Sequence, residues 1–491
     1  MKKKLRPYQI QAIDRVKRSI KSGNRKVVLQ IPTGGGKTLI AASIIEAALA
    51  KGNRVIFCVN AIELVDQTVR AFISEGIHAV GVIQAAHEMT NRAMPVQVCS
   101  IQTLSRRKIP DADLVIIDEA HNFYKFYDKW MTLWDAVPFI GLTATPWTKG
   151  LGKYYQDLII ATTTQELIES GYLSDFRVYA PSHPDLSKVG SRGGDFIEDQ
   201  LAEVMNGNTL VADAVRVWKE RGENRPTLCF CVDRAHAKHM QERFKAAGVP
   251  TGYIDAYTTR EEREEVRKAF HNGTIKVVCN VGVLVTGVDW DVRCIVLCRP
   301  TKSEILFTQI IGRGLRTADG KTDCLILDHS DTHLRLGFVT DIIHEKLDDG
   351  QARTNAKQDR KEPLPKECPS CSFLKPPKVG ECPACKFTPE KGSDISVSCG
   401  ELAELERKKK ANKEMTSIEK SRFFGELKQY AIQKGYKDGW AANQYRSKTG
   451  VWPNSYKNAK PIEPSRDTLN WIKHQQIKYS KRRASQNENV L

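Results

Sequence analysis

Short apolar runs alternate with helix-period segments along the first third of the chain. The apolar runs predict strands at residues 27–30, 55–59, 96–100, 114–118 and 139–143. Alternation of buried strands with amphipathic helices is typical of a mostly parallel sheet flanked by helices. We therefore predict an α/β lobe over residues 1–163.

The same alternation restarts farther along and predicts a second α/β lobe over residues 164–345. Its strands are expected at residues 227–231, 252–254, 277–279, 294–298 and 325–328. Residues 147–225 are interpreted as a connection, the first helices of the second lobe and a glycine-rich loop at Gly193 and Gly194.

The remainder of the chain differs in composition from the two lobes. A polar segment at residues 348–367 is interpreted as a linker, within a predicted linker and cysteine knuckle over residues 346–400. Residues 401–491 are predicted to form a basic, helical domain that binds nucleic acid. Aromatic residues alternate there with Lys and Arg. Stacking on bases and the core of a small domain both explain them, and core is favoured for most of them.

The charge and hydropathy of the chain indicate which classes of binding partner to expect. The chain has 491 residues and a net charge of +17, and most of the excess lies in residues 401–491, which favours a polyanionic partner. No apolar run approaches the roughly 20 residues that a membrane span needs, so we expect a cytoplasmic protein without a membrane partner. Of the 13 cysteines, four form a cluster, and the scattered remainder are expected to be reduced thiols.

A glycine-rich motif supplies the first candidate chemistry. Residues 32–38 read PTGGGKT and stand between a predicted strand and a predicted helix, the context that a phosphate-binding loop requires. We expect Lys37 to reach the β and γ oxygens of a nucleotide and the Thr38 hydroxyl to bind Mg²⁺. The alternative, a flexible turn, does not require this context. The predicted ATP-binding residues of the loop are Thr33, Gly34, Gly35, Gly36, Lys37 and Thr38.

An acidic motif follows the predicted strand at residues 114–118. Residues 118–121 read DEAH, and two adjacent carboxylates at the end of a buried strand are costly unless they meet a cation or transfer a proton. Asp118 is expected to hold Mg²⁺, and Glu119 to orient and deprotonate the attacking water. A solvated acidic turn is the alternative.

The glycine loop and the acidic motif together resemble those of superfamily 2 helicases of the DEAH-box type. The resemblance covers roughly residues 1–340. It implies an α/β fold of two tandem RecA-like parallel-sheet lobes that hydrolyse ATP with Mg²⁺ between them. Residues 5–9, LRPYQ, are similar to the family's adenine-reading motif, which implies that Arg6 and Gln9 bind ATP.

Further motifs of the family fall in both lobes. Residues 141–146, GLTATP, resemble the motif that couples hydrolysis to strand movement, which implies a coupling role for Thr143, Thr145 and His121. Residues 286–289, TGVD, are similar to a motif that contacts both ligands. The resemblance implies a nucleic-acid contact for Thr286 and nucleotide contacts for Gly287 and Asp289.

Residues 309–316, QIIGRGLR, resemble the arginine-finger helix of the family. The resemblance implies catalytic roles for Gln309, Arg313 and Arg316, with the arginines neutralising charge on the γ-phosphate from the second lobe. A surface helix that carries two arginines is the alternative.

The resemblance also implies a nucleic-acid track and a function. Gln102, Thr103 and Arg234 match strand-contacting segments in order and approximate spacing, and residues 323–328, DCLILD, bring the chain closest to RadD-like helicases. We expect an ATP-dependent DNA helicase or translocase in repair, recombination or replication. Its expected partners are single-stranded or branched DNA and a single-strand-binding protein or repair factors. A nucleotide-switched binding subunit, a duplex translocase without unwinding and an RNA helicase are the alternatives.

The cysteine cluster comprises two Cys-x-x-Cys pairs separated by ten residues, close to zinc-ribbon spacing. Four thiolates can complete a tetrahedral Zn²⁺ site, and metal would then fold a segment that is too small for a core. A redox dithiol is the alternative. The predicted zinc ligands are Cys368, Cys371, Cys382 and Cys385.

Overall fold

The structure is a computed structural model that describes most of the chain. The described residues are 3–285, 290–351, 364–377, 379–388, 417–437, 439–449, 451–456, 458–465, 468–469, 471–473 and 475–476. The chain divides into two compact units, Met1–Lys391 and Gly392–Leu491. Among the helices of the described part, none has the length and apolar content that a membrane span requires.

The first lobe is built on a seven-stranded sheet in which every pairing is parallel, with the order β3-β4-β2-β5-β6-β1-β7. Its strands are nearly continuous apolar runs, as expected of a parallel sheet covered on both faces. Its elements in chain order are α1 (Pro7–Lys21), β1 (Lys26–Gln30), α2 (Lys37–Leu49), β2 (Val55–Val59), α3 (Glu63–Ser74), β3 (Val80–Ile83), β4 (Val96–Ser100), α4 (Ile101–Leu104), β5 (Leu114–Asp118), α5 (Lys125–Leu133), β6 (Phe139–Thr143) and β7 (Asp157–Ile160).

The five predicted strands of this lobe are confirmed, but the sheet has two more. β3 contains Gly81, which weakens a strand signal; a Cβ there would lie 2.1 Å from the Asn91 carbonyl oxygen, so the close approach of that chain requires glycine. β7 is only partly buried at the sheet edge, and its apolar residues Leu158, Ile159 and Ile160 were not recognised as a strand. It falls within residues 147–225, which were interpreted as a connection, and that interpretation is wrong at this point.

The second lobe is built on a six-stranded parallel sheet with the order β12-β13-β11-β14-β15-β8. Its strand β8 also lies in the supposed connection, whereas a two-stranded hairpin surrounds the predicted glycine-rich loop. Its elements are α6 (Thr164–Glu169), β8 (Asp175–Tyr179), β9 (Ser191–Arg192), β10 (Asp195–Phe196), α7 (Glu198–Met205), α8 (Asn208–Arg221), β11 (Thr227–Phe230), α9 (Arg234–Ala246), β12 (Thr251–Ile254), α10 (Arg260–His271), β13 (Val277–Asn280), β14 (Cys294–Leu297), α11 (Glu304–Gly314), β15 (Asp323–Asp328) and α12 (Thr332–Leu336).

The cysteine knuckle packs against the second lobe. A short antiparallel hairpin, β16 (Lys366–Glu367) and β17 (Leu374–Lys375), carries the first cysteine pair. Ser372 accepts a hydrogen bond from the Ala180 N–H over 3.0 Å, and the Phe373 ring lies 5.4 Å from that of Tyr179. The end of β8 is thereby paired with the knuckle.

The described residues of the C-terminal unit include helices α13 (Ser417–Gln433) and α14 (Gly439–Thr449). The small core of this unit contains the buried residues Phe423, Phe424 and Tyr445. Most of the other described aromatic residues of the unit pack around them. The predicted helical fold and the preference for core aromatics are confirmed. Trp452 and Tyr436 remain exposed.

Candidate active site

The glycine loop connects β1 to α2 at the carboxyl edge of the first sheet. Gly34 and Gly36 adopt φ angles of 83° and 86°, a left-handed conformation that glycine adopts without steric cost. A Cβ on Gly36 would lie 2.4 Å from Nε2 of Gln9, so a side chain there would also collide with α1. The loop therefore folds tightly over the N-terminus of α2, where backbone N–H groups favour an anion.

The start of α1 holds this loop in place. Gln9 donates from Nε2 to the Gly35 carbonyl over 3.0 Å and accepts at Oε1 from the Arg6 N–H over 2.9 Å. The Tyr8 hydroxyl donates to the same Gly35 carbonyl over 2.6 Å. These contacts fix the orientation of the Gln9 amide, which lies at the wall of the cleft described below.

The acidic motif lies directly across from the loop. Lys37 contacts Oε1 of Glu119 through Nζ at 2.6 Å. Burial alone would raise the pKa of Glu119, but Lys37 together with His121 and Arg313 outweighs it, and the pKa is lowered. Burial and the neighbouring Glu119 charge raise the pKa of Asp118 to about 6. The site thus holds one firmly ionised carboxylate beside one that favours a cation.

Glu119 also has an unusual backbone. Its φ angle is 48°, and a non-glycine residue in this region carries a strain of about 1–3 kcal/mol. Asn60 donates from Nδ2 to the Glu119 carbonyl over 3.1 Å and helps to retain the conformation. In this conformation the carboxylate contacts Lys37.

His121 connects the acidic motif to both neighbouring motifs. Its Nδ1 lies 2.8 Å from the Thr143 hydroxyl oxygen, and its Nε2 lies 3.2 Å from Nε2 of Gln309 in the second lobe. Since the amide nitrogen can only donate, Nε2 of His121 accepts and Nδ1 carries the proton. Burial lowers the pKa of His121, which favours this neutral form. Thr143 in turn accepts from the Thr145 N–H over 3.0 Å.

Helix α11 of the second lobe packs against the glycine loop. A Cβ on Gly312 would lie 2.6 Å from Cβ of Thr33, so only glycine permits this contact. A Cβ on Gly34 would lie 3.5 Å from Cγ of Arg316, and Arg313 is buried, with an exposed fraction of 6%. The structure therefore brings both predicted finger arginines to the loop.

These groups surround a single cleft with a volume of about 780 Å³. The predicted residues that line it are Arg6, Gln9, Thr33, Gly34, Gly36, Lys37, Thr38, Asp118, Glu119, Arg313 and Arg316. The predicted Gly287 and Asp289, and also Thr286, lie outside the described residues.

Among the residues of the cleft that the sequence motifs did not predict are Tyr172 and Leu173. The guanidinium of Arg6 lies 4.0 Å from the ring centroid of Tyr172, and a Cβ on Gly34 would lie 2.8 Å from Cδ2 of Leu173. Both follow α6, in the segment interpreted as a connection, and no motif marks them. Tyr172 presents an aromatic face to the side of the cleft where α1 lies.

The candidate nucleic-acid residues lie apart from the cleft. Gln102 donates from Nε2 to the Asn60 carbonyl over 2.6 Å, and Oγ1 of Thr103 lies 3.0 Å from the Ser100 hydroxyl. Arg234 pairs with Asp255 at 2.7 Å, and its side chain is 55% exposed.

The four knuckle cysteines converge on one point. All four Sγ atoms lie within 4.8 Å of one another, with 3.7 Å from Cys368 to Cys385 and from Cys371 to Cys382. A tetrahedral Zn²⁺ with bonds of about 2.3 Å requires sulfur separations of about 3.8 Å, so the cysteines fit this ion. Both pairs repeat one backbone pattern, in which the N–H of the first cysteine binds the carbonyl five residues on, in Phe373 and in Phe387.

Family models match both lobes. Residues 2–148 match the family "Type III restriction enzyme, res subunit", and residues 208–318 match "Helicase conserved C-terminal domain". The glycine loop and acidic motif fall within the first match and the finger helix within the second.

Individual proteins resemble the same part of the chain. A 51.5 kDa protein of a Lactococcus phage (isolate 7-9) is 28% identical, covering 71% of this chain and 75% of the phage protein. A Saccharomyces cerevisiae protein named as the ATP-dependent helicase IRC3 is 31% identical, covering 66% of this chain and 51% of its own length. Thus the chain spans about half of the yeast relative.

A solved structure shares the fold. A fragment described as an HsdR subunit of a type I restriction enzyme from Vibrio vulnificus YJ016 superimposes with a TM-score of 0.54. The two chains are 21% identical, and the match covers 70% of this chain and 67% of the other. The paired parallel sheets are therefore an arrangement known from experiment.

Proposed function

Since this chain is a superfamily 2 helicase-like protein, an ATP-hydrolysing enzyme with two RecA-like lobes, we propose that it couples Mg²⁺-ATP hydrolysis to movement along DNA. The observation that carries the proposal is the shared cleft. Lys37 and Glu119 line one wall, and Arg313 and Arg316 line the other. A nucleotide bound in this cleft would contact both lobes, so its hydrolysis would change the contacts of both lobes at the same time.

Each residue has a defined task in hydrolysis. Glu119, kept ionised by Lys37, accepts the proton of the attacking water. Lys37, Arg313 and Arg316 neutralise the charge that develops on the γ-phosphate, an effect of about 10³ to 10⁵ in rate for such arginines. Thr38 and Asp118 would hold Mg²⁺, which supplies charge neutralisation at the β and γ oxygens when it is bound.

Coupling follows from the contact between the lobes. Gln309 of α11 contacts His121, and His121 contacts Thr143. Since Oε2 of Glu119 lies 3.3 Å from Nδ1 of His121, a change at Glu119 would reach the coupling motif and the finger helix through side chains in direct contact. Closing on ATP and reopening after hydrolysis would alternate the grip of the lobes on a strand.

We also propose a narrower family, a cellular role, a DNA-binding track and partners for this chain. We place the chain with DEAH-box, RadD-like helicases that act in DNA repair, recombination or replication, with single-stranded or branched DNA bound along Gln102, Thr103 and Arg234. The basic domain at residues 401–491 would add affinity for phosphates. A single-strand-binding protein or repair factors are the proposed protein partners, and Zn²⁺ is the proposed ion of the cysteine knuckle.

The decisive test is ATP turnover with a panel of single-stranded DNA, duplex DNA, forked DNA and RNA at fixed salt. We expect DNA to stimulate turnover, and Lys37→Ala and Glu119→Gln to abolish it while the fold is retained. Lys51→Ala, an exposed lysine just beyond the same helix α2, is the matched control and should leave turnover unchanged. Turnover at the wild-type rate in either active-site variant would contradict the proposal.

A second candidate is a translocase or switch subunit that does not separate strands. The match of the first lobe to a restriction-enzyme subunit family favours it. A strand-displacement assay beside the ATPase assay distinguishes the two, because DNA-stimulated turnover without displacement would favour this candidate. Stimulation by RNA alone would favour an RNA helicase.

A further inference from the structure

After α12 the chain crosses from the second lobe to the first. Phe338, Val339 and Ile342 are buried in the core of the second lobe. A few residues farther on, Leu347 packs against the hydrophobic cluster beneath the first sheet. We call residues 338–350 the strap, because they bind to both lobes.

The strap is anchored to the first lobe by backbone hydrogen bonds. The Asp348 carbonyl accepts from the Gly152 N–H over 2.8 Å, and its Oδ1 accepts from the Gly150 N–H over 2.8 Å. A Cβ on Gly152 would lie 3.0 Å from the Asp348 carbonyl oxygen, so the two chains are in close contact. These glycines follow the coupling motif at residues 141–146 in the same loop.

A second anchor joins the strap to the finger helix. His344 contacts Oε2 of Glu304, the first residue of α11, through Nε2 at 2.7 Å. Its ring also lies 4.8 Å from that of Trp147, the residue directly after the coupling motif. A single side chain therefore touches both the loop that leaves the coupling motif and the start of the helix that carries Arg313.

We propose that the strap holds the two lobes at the separation at which α11 faces the glycine loop, and that His344 is its positioning residue. The inference rests on the proposed function, since it concerns the same ATP cleft. Lobe opening would draw Glu304 away from Gly150, so the strap must detach or act as the pivot. If these contacts are broken when the lobes open, they favour closure before a nucleotide arrives, and this is the case that we propose.

This predicts a specific kinetic signature. Without the strap contacts, more of the energy of ATP binding is needed to close the lobes, so KM for ATP rises. Nucleic acid that contacts both lobes also favours closure and should compensate. The DNA stimulation factor should therefore increase in strap variants, whereas a merely unstable variant would lose kcat and keep its stimulation factor.

The test uses the full chain and matched neighbours. We expect His344→Ala and Asp348→Ala each to raise KM for ATP about five-fold, the scale of a partly exposed polar contact. Glu345→Ala and Asp349→Ala, exposed residues of the same segment, are the controls and should match the wild type. His344→Gln keeps a donor for Glu304 and should restore most of the loss. A single-stranded oligonucleotide should bring KM in both strap variants back towards the wild-type value.

Unchanged KM in both strap variants, or a loss in kcat alone with the wild-type stimulation factor, would overturn the inference. A wild-type protein without ATPase activity would instead contradict the proposed function. Amide hydrogen exchange tests the strap contacts independently of ATP turnover. In His344→Ala, faster exchange is expected both at residues 146–153 and at residues 304–308. Exchange at the wild-type rate in the finger helix would refute the coupling.

Discussion

Gln309 in the second lobe donates to Nε2 of His121 in the first lobe over 3.2 Å. This hydrogen bond joins two motifs that are separated by most of the motor sequence. His121 is buried and neutral, so the contact depends on its proton lying on Nδ1. The acidic motif and helix α11 are therefore in direct contact through these two side chains.

Breaking this contact should uncouple the two lobes. We expect Gln309→Ala to reduce DNA-stimulated turnover about ten-fold, because a buried hydrogen-bond partner is lost and closure is less well defined. His121→Ala should have a comparable effect, and the double variant should be little worse than either single variant. The measurement is a double-mutant cycle on kcat. Additive losses would show that the two residues act independently.

The contact of Gly312 with Thr33 sets how closely the lobes approach. Gly312→Ala would place a methyl group 2.6 Å from Cβ of Thr33, and the rigid loop cannot yield without moving the phosphate site. We expect turnover to fall at least ten-fold with little change in thermal stability of the lobes. Gly380→Ala, where no atom lies within 4 Å of the added Cβ, should be neutral. Full activity of Gly312→Ala would mean that the active arrangement is more open.

Acid sensitivity should arise in part from Asp328 at the end of β15. Burial alone would raise its pKa, but hydrogen bonds from His333 and Ser330 lower the pKa from 3.8 to about 2. A depressed folded-state pKa stabilises the fold above pH 4, by about 2 kcal/mol, and the contribution is lost as the pH falls towards 2. Asp328→Asn should lower the denaturant midpoint at pH 7 and flatten its fall below pH 4.

The control for this pH dependence is Asp349→Asn, an exposed carboxylate in the strap. Its denaturant midpoint should follow the wild-type curve from pH 7 to pH 2. If Asp328→Asn gave the same acid slope as the wild type, Asp328 would not be the group responsible.

Metal removal should unfold the knuckle. The purified chain is expected to contain one zinc ion, measured by mass spectrometry of the metal, and Cys371→Ser should lose it. Because metal supplies the folding energy of such a segment, the loss should expose residues 366–388 to proteolysis. Ser370→Ala, next to the same cysteine, should retain the ion. A full complement of zinc in Cys371→Ser would assign the ion to another site.

The sequence predicted the parts of the fold that have a local signal. The five predicted strands of the first lobe and the core strands of the second are continuous apolar runs, and the glycine loop and acidic motif stand at their ends. Edge strands β7 and β8 were missed because each is only partly buried, so burial imposes no clear pattern on them.

The parts of the site that could not be predicted depend on contacts between distant segments. Tyr172 belongs to no sequence motif. Only the fold brings the guanidinium of Arg6 to 4.0 Å from the centroid of its ring. His344 and Trp147 are separated by nearly two hundred residues, and neither belongs to a motif. Gly312, by contrast, lies within the motif at residues 309–316. Its packing against Thr33 could not be predicted, because the two residues meet only when the lobes are assembled.

The knuckle pairs with one end of β8, one of the two edge strands of the second sheet. An uncovered strand offers free backbone groups on which another chain can pair, and this is a common beginning of aggregation. Metal loading would therefore protect the motor from self-association. Chelated preparations should become turbid before they lose their secondary structure.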